Sequence, residues 1–486
     1  MTYAELDAAA SRFAGFCRSS GLDVQDRVVM LVDDRPEFFQ VYLGAMKAGL
    51  VPVAVNLRLP MDELRHILAD SGSRLVVADE NLLGQLVEAM EDIATPPAIV
   101  TISKVAGQTS LAEATEDQPA AFDPVALAPD AMALWMYTSG TTGRPKAAVH
   151  LQRAIATTDR YFGATFGVTG DDRVYGTSKL FFAYALGHCL LATLRLGAAA
   201  VLSPGWPTAA SVAKDVDRHR PTVVLSVPTL YHNLLREGMA EHDAFRDVRL
   251  YLSAGERLPR DVAEAWCAAT GRPIVEGLGT TETLMMVLAN RPDDPTPGTV
   301  GRPLPGVEAR LLDERGAPVV DANTPGVLSV RSEAIADGYW NQPEPSKAAF
   351  DDGWFRTGDI VAVDDHGRYS HLGRSDDMMK ISGQWVSPTE IEDLVLGQQG
   401  VRAVAVVAVP DGDSLDRLAL CLVTGSEVAD RAALEATLSQ SLKSSLAIYK
   451  CPRHIIYLDD LPLTATGKLQ RYKLREIAAE RLGEGS

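Results

Sequence analysis

Up to about Asn290, short apolar runs alternate with stretches whose apolar positions recur at helical spacing. Val28–Val32, Leu75–Ala78, Val223–Val227 and Leu250–Ser253 each have the length of a buried strand. The alternation predicts an α/β fold with layered sheets and helices. From Gly301 to Arg374 the pattern breaks into short strands and turns, including Leu311-Leu312-Asp313-Glu314-Arg315-Gly316 and Val363-Asp364-Asp365-His366-Gly367-Arg368, which predicts a small β-rich subdomain. After Gly373-Arg374-Ser375-Asp376-Asp377 the pattern restarts. Ser387-Pro388-Thr389-Glu390 reads as a helix start with N-cap, first-turn proline and capping glutamate, and Ala403–Val409 reads as a strand. The predicted organisation is an N-terminal domain over 1–375, with its β-rich part at about 301–374, and a small α+β C-terminal domain over 376–486.

Two segments need separate comment. Thr2 and Glu5 have capping-box spacing ahead of a helical pattern. Leu180–Leu202 is nearly continuously apolar and long enough to suggest a membrane span, but Gly187, His188 and Arg195 interrupt it. It is expected to be a buried helix feeding a strand at Ala198–Leu202.

Composition narrows the classes. At 486 residues the chain predicts two or more cores, and a net charge of −18 argues against a general nucleic-acid or anionic-membrane surface. Cys17, Cys189, Cys267, Cys421 and Cys451 are odd in number, widely spaced and without metal-like pairing, as expected of reduced thiols in a cytoplasmic protein. The opening residues do not read as a secretory signal.

Against that background one loop stands out. Tyr137-Thr138-Ser139-Gly140-Thr141-Thr142-Gly143-Arg144-Pro145-Lys146 follows the apolar run Ala133–Met136, so it is expected at a sheet edge. Its glycines allow close backbone approach to a polyphosphate, its hydroxyls donate, and Lys146 supplies positive charge. It is not the common P-loop, because Arg144-Pro145 intervenes and Ala147 follows the lysine. Four further clusters accompany it. Gly277-Leu278-Gly279-Thr280-Thr281-Glu282 ends in a carboxylate able to ligate Mg²⁺, and in Trp354-Phe355-Arg356-Thr357-Gly358-Asp359 the aspartate can accept from a ribose diol. Gly373-Arg374 offers a guanidinium, and Pro462-Leu463-Thr464-Ala465-Thr466-Gly467-Lys468 a lysine on a glycine-containing loop. Taken singly, each reads as an ordinary turn or a solvated surface residue.

Together, in this order and spacing, the five clusters resemble those of the adenylate-forming superfamily, which contains acyl-CoA synthetases, peptide-synthetase adenylation domains and firefly luciferase. The resemblance covers essentially the whole chain. Lys179-Leu180-Phe181-Phe182-Ala183-Tyr184, Ser226-Val227-Pro228-Thr229-Leu230-Tyr231, Ser253-Ala254-Gly255-Glu256 and Met379-Lys380-Ile381-Ser382-Gly383 look most like benzoate–CoA ligases. The resemblance implies ATP, Mg²⁺ and CoA as reactants and cofactor, and an aryl carboxylic acid as substrate. Lys468 would bridge acid and α-phosphate, Thr281 would donate to that phosphate, and Glu282 would hold Mg²⁺. Thr138, Ser139, Gly140, Thr141, Thr142 and Lys146 would hold the β and γ phosphates. Asp359 and Arg374 would grip the ribose, with Ser253, Ala254, Gly255, Glu256, Gly277, Leu278, Gly279 and Thr280 around adenosine and α-phosphate. Phe182, Ala183, Tyr184, Leu284 and Met285, with Ala254 and Gly279, would line the acid pocket, and His188 is a candidate contact to a ring substituent. Relatives often carry a histidine where Met285 stands, so this pocket is expected to differ from a plain benzoate site. Many carry an aromatic residue where Leu278 stands, so stacking on the adenine is expected to be weaker here.

The resemblance further implies a mobile C-terminal domain with its hinge at Asp376, Gly383 and Lys380 facing CoA after rotation, and regulatory acetylation at Lys468. Loading of the acyl group onto a carrier protein, a luciferase-like oxygenase and a non-catalytic nucleotide sensor are the competing readings.

Overall fold

The computed structural model describes residues 1–138, 144–381, 384–410, 416–425, 428, 430–463 and 469–483. The chain divides into two compact units, one of Met1–Arg310, Ser329–Thr357 and Asp364–Ser370, the other of Leu311–Leu328, Gly358–Val363 and His371–Ser486.

The first unit is built on two large sheets, as the alternation predicts. In one, Arg27–Leu31 lies between Val51–Ala54 and Leu75–Ala78, all parallel, and Ala98–Thr101 continues the run. Val51–Ala54 and Leu75–Ala78 are buried at every residue, which is why they read as continuous apolar runs rather than alternating ones. Met132–Thr138 joins parallel to Val51–Ala54, and Lys146–Leu151 returns antiparallel to it. The other sheet sets Arg173–Gly176, Val223–Ser226, Leu250–Ser253 and Ile274–Gly279 parallel, then closes with Met286–Ala289 antiparallel. The expected strand at Val223–Val227 stops one residue early because Pro228 opens the helix Pro228–Arg236.

The capping box at the N-terminus is formed. Glu5 N–H donates to Thr2 Oγ1 at 3.3 Å, Thr2 N–H donates to Glu5 Oε2 at 2.7 Å, and the helix Tyr3–Ser19 buries Phe13, Ala14 and Cys17. The apolar stretch after Leu180 is buried as expected but is not one α-helix. A π-helix, Leu186–Ala192, interrupts it between Ala183–Ala185 and Thr193–Arg195, ahead of a strand shortened to Ala199–Val201. Among the described residues no helix is long and apolar enough to cross a membrane.

In the second unit, Val401–Pro410 and Asp416–Thr424 pair antiparallel, and His454–Tyr457 joins the latter in parallel. Helices Pro388–Leu396, Arg431–Ser445 and Arg471–Gly483 accompany this sheet. Val386, Ile391, Val406, Leu420 and Leu438 are among its core residues. The helix begins at Pro388 as predicted, but the predicted cap does not form. Ser387 Oγ donates to the Leu372 carbonyl, and Glu390 pairs with Lys450 at 2.6 Å, so tertiary partners displace the local cap.

Candidate active site

The loop expected to hold phosphate joins two antiparallel strands. Thr138 and Lys146 are cross-strand partners at the loop end of the hairpin. Ser139, Gly140, Thr141 and Thr142 lie outside the described residues, as do Gly383 and Lys468. The lysine is placed by what flanks it. Its ammonium lies 4.4 Å from the centroid of the Tyr339 ring, a cation over an aromatic face. Tyr339 is there because Gly338–Tyr339 adds antiparallel to the Lys146 strand, opposite Val149 and Ala148. Its hydroxyl donates to Glu282 Oε1 at 2.7 Å. Cation, phenol and carboxylate thus form one row within the first unit.

Glu282 is buried at 9% exposure in a short 3₁₀ turn, Thr281–Thr283, that follows the strand Ile274–Gly279. Its carbonyl accepts from Ala336 N–H at 2.8 Å. A second tie comes from His150, fully buried on the same strand as Lys146. One ring nitrogen lies 2.9 Å from the Thr281 carbonyl and the other 3.2 Å from the Ala334 carbonyl. Burial pushes its pKa down, and a neutral ring, with its one N–H on one nitrogen, donates to only one of those two carbonyls. Leu284, just beyond, is held at φ 58°, a left-handed conformation that a branched side chain adopts only under constraint. Sequence reasoning missed both Tyr339 and His150. Neither lies in a glycine-rich motif, and Tyr339 is 57 residues from the carboxylate it touches.

The residues expected around adenosine leave neighbouring strand ends. Ser253 pairs with Glu276 in parallel register, which sets Ala254, Gly255 and Glu256 beside Gly277 and Leu278. Ser253 Oγ is buried without a hydrogen bond among the described residues, while Glu256 accepts from Thr229 Oγ1 at 2.7 Å. Gly279 has a packing reason as well: a Cβ there would lie 2.7 Å from the Met285 carbonyl oxygen, so the return strand approaches only because no side chain intervenes.

Of the residues expected in the acid pocket, Ala183, Ala254, Leu284 and Met285 are buried, and Phe182 and Tyr184 are half-buried. Gly187, in the π-helix, is so close to Leu284 and Met285 that a Cβ would lie 2.5 Å from Met285 Sδ. The 183–188 and 284–285 segments are therefore neighbours. Tyr184 Oη is buried and has no partner among the described residues.

His188 departs from the expected role. Met286 N–H donates to Tyr161 Oη at 3.1 Å, the Tyr161 hydroxyl meets His188 Nε2, and His188 Nδ1 lies 2.7 Å from the Tyr184 carbonyl. Both nitrogens are engaged by protein groups on a ring with 0% exposure, and burial pushes the pKa down to about 4. A neutral imidazole that accepts from Tyr161 and donates to Tyr184 satisfies every bond, and nothing remains for a substrate substituent.

In the second unit, Asp359 sits in the strand Trp354–Val363 rather than after a turn, at 4% exposure. Its Oδ1 lies 3.1 Å from both Arg374 Nη1 and His371 Nε2. Gly358 permits this: its φ is 74°, and a Cβ would lie 2.9 Å from Arg374 Nη2. Asp376 is exposed in the turn that follows, and Lys380 lies in the strand Met379–Ile381.

No group of three or more His, Cys, Asp and Glu side chains gathers into a metal cage among the described residues. Mg²⁺ does not call for one, since it is usually bound by one or two carboxylates, water and substrate phosphates. A single oriented hard-oxygen donor, as at Glu282, fits that pattern.

Comparison with known proteins agrees with this chemistry. A profile described as AMP-binding enzyme matches residues 1–340, and one described as AMP-binding enzyme C-terminal domain matches 390–468. The chain is 41% identical over 480 residues to a 3-hydroxybenzoate–CoA ligase of Aromatoleum sp. (strain CIB), covering 98% of this chain and 91% of that one. It is 42% identical over 484 residues to a 3-hydroxybenzoate–CoA/4-hydroxybenzoate–CoA ligase of Thauera aromatica, covering 98% and 92%. The crystal structure of an anthranilate CoA ligase in complex with anthranoyl-AMP superposes with a TM-score of 0.93 at 32% identity, covering 99% of this chain and 93% of that one.

Proposed function

We infer, because this chain belongs to the AMP-binding enzyme family, that it is an ATP-dependent aryl-acid–CoA ligase acting on benzoate or a hydroxylated benzoate. It uses ATP, Mg²⁺ and CoA. A carboxylate is a poor acyl donor, being anionic with a bad leaving group. In the first half-reaction its oxygen attacks the α-phosphorus of ATP, the bond to the β-phosphate oxygen breaks, and pyrophosphate leaves. In the second, the CoA sulfur attacks the acyl carbon and AMP departs with the former carboxylate oxygen. The first step brings two anions together, so positioning and positive charge carry it.

The observation that carries the reading is the row Lys146, Tyr339 and Glu282, tied through His150 to Thr281. Lys146 and the hydroxyls of residues 138–142 bind the β and γ phosphates, and Thr281 donates to the α-phosphate. Glu282 holds Mg²⁺, which screens the phosphate oxygens. Tyr339 orients that carboxylate by its hydrogen bond. Lys468 bridges the acid and the α-phosphate, while Asp359 and Arg374 bind the ribose. Phe182, Ala183, Tyr184, Leu284 and Met285 form the aryl pocket, and the buried Tyr184 Oη is suited to meet a ring hydroxyl.

The same proposal includes domains over 1–375 and 376–486 that turn about Asp376, with Lys380 and Gly383 facing CoA after the turn. It places the enzyme in the cytoplasm and includes acetylation of Lys468 as an off-switch, since acetylation removes the charge. CoA is the acceptor in this reading, and thioester formation with a pantetheinylated carrier protein in preference to CoA would replace it. Pyrophosphate release is to be measured across benzoate, hydroxybenzoates, aminobenzoates, cinnamates and short fatty acids. Turnover with benzoate or a hydroxybenzoate, followed by CoA thioester detected by mass spectrometry, is the expected result; acid-independent or absent release overturns it.

A further inference from the structure

Lys179 is a charged residue with 3% exposure, outside the phosphate and nucleotide contacts described above. Its ammonium has three N–H donors and three acceptors: Asp33 Oδ1 at 2.7 Å, the Ser203 carbonyl at 3.0 Å and Asp34 Oδ2 at 3.4 Å. Each carboxylate also holds main chain. Asp34 Oδ1 accepts from Leu180 N–H at 3.0 Å, and Asp33 Oδ2 accepts from Gly205 N–H at 2.6 Å. Behind them, Asp33 N–H donates to Asp79 Oδ2 at 2.8 Å, and Arg35 pairs with Asp79 at 3.4 Å. The cluster therefore ties residues 33–34, beyond the C-terminal end of the central strand Arg27–Leu31, to two separate segments, the start of 179–184 and the turn 203–206.

Those two segments carry aromatic rings that touch. Phe181 and Phe182 have centroids 4.6 Å apart, Trp206 stacks on Phe181 at 6.3 Å, and the Arg58 guanidinium lies 4.1 Å from the Trp206 centroid. One residue beyond Phe182 begins the helical turn that presents Ala183 and Tyr184. A buried ion cluster adds little stability over an apolar replacement, because desolvation offsets its attraction; what it does supply is a fixed arrangement of the chain it hydrogen-bonds.

We propose that Asp33, Asp34 and Lys179 are positioning residues for aryl-acid binding, clamping the 179–184 and 203–206 segments so that the aromatic wall keeps one register. This rests on the proposed assignment of Phe182, Ala183 and Tyr184 to the acid pocket. The cluster touches no reacting atom, so it acts through the wall alone, and the wall belongs to the acid rather than to ATP.

Asp34→Asn is the decisive variant. It keeps an oxygen to accept from Leu180 N–H while removing one negative charge from Lys179. Lys179→Met is the companion, leaving two carboxylates without their cation. In the full chain, Asp34→Asn is expected to raise KM for the preferred aryl acid about fivefold or more while KM for ATP stays within about twofold. Hydrogen exchange should rise in peptides covering 179–184 and 203–206 in both variants. Parallel rises in both KM values, or a lowered melting temperature with both KM values unchanged, would overturn the proposal. So would unchanged exchange in those two segments. If the unaltered enzyme shows no acid-dependent pyrophosphate release, the ligase reading falls, and the exchange measurement still decides whether the cluster is a clamp.

Discussion

At the scale of single residues, Tyr339 is the informative case. A carboxylate that is to ligate a cation must be held without being neutralised, and a phenol does this where an arginine would compete for the charge. Tyr339→Phe removes one oxygen atom and leaves the ring beneath Lys146. A hydrogen bond to a charged group is worth about 1.5–3 kcal/mol, so kcat/KM should fall about tenfold or more. The Mg²⁺ concentration for half-maximal rate should rise, and a magnesium titration at saturating ATP and acid checks it. His188 yields a prediction about acidity. Its pKa falls from the ordinary value of 6.5 to about 4 through burial, so the folded protein binds fewer protons than the unfolded chain between those values. The neutral ring's contribution is complete above 6.5 and is lost as pH falls toward 4, amounting to about 3 kcal/mol at most. Asp34 acts in the opposite direction, being pushed up to about 6 by burial, so the effect is read as a difference from a variant. The stability of the natural protein minus that of His188→Asn should decrease steadily from pH 6.5 to 4 in denaturant titrations. A flat difference would show that the ring titrates normally.

Elements were legible in the sequence where a local pattern decides them, and illegible where a distant partner does. Leu75–Ala78 and Leu250–Ser253 are parallel strands buried at every residue, so burial alone writes their apolar runs. Thr2 and Glu5 form the box their spacing predicts, whereas Ser387 and Glu390, with equally suggestive spacing, are drawn to Leu372 and Lys450. The π-helix Leu186–Ala192 could not be read either, because its apolar residues fit an α-helix as well. What distinguishes it is packing, with Gly187 pressed on Leu284 and Met285. The same division runs through the site. Lys146, Thr281 and Glu282 sit in motifs that the resemblance to the adenylate-forming superfamily ties to phosphate chemistry, but Tyr339 enters only through strand pairing with Val149 and Ala148. At this scale the cap is testable. Thr2→Ala removes the acceptor for Glu5 N–H and should weaken the first turn by about 1 kcal/mol. Amide exchange at residues 3–6 should accelerate about fivefold while the centre of Tyr3–Ser19 is unchanged, and equal exchange throughout would mean the cap contributes nothing.

For the whole molecule, the question is how one chain serves two steps with different needs. Adenylation asks for a cation between two anions, while thioester formation asks for room for a sulfur nucleophile at the same acyl carbon. Lys146, Thr281 and Glu282 belong to the first unit, and Asp359 and Arg374, proposed to bind the ribose, to the second. In the proposed reaction, Lys468 supplies a charge that the first step needs and the second does not. Lys468→Ala should therefore lower pyrophosphate release more than about a hundredfold, a loss in line with removal of one preorganised transition-state contact. CoA thioester formation from presupplied aryl-adenylate should continue at close to its normal rate, since no phosphate anion then has to be approached. Single-turnover assays of each half-reaction separate the two. Equal losses in both would mean that Lys468 serves the overall architecture instead of the first chemical step, and the division of labour between the steps would have to be sought in other residues.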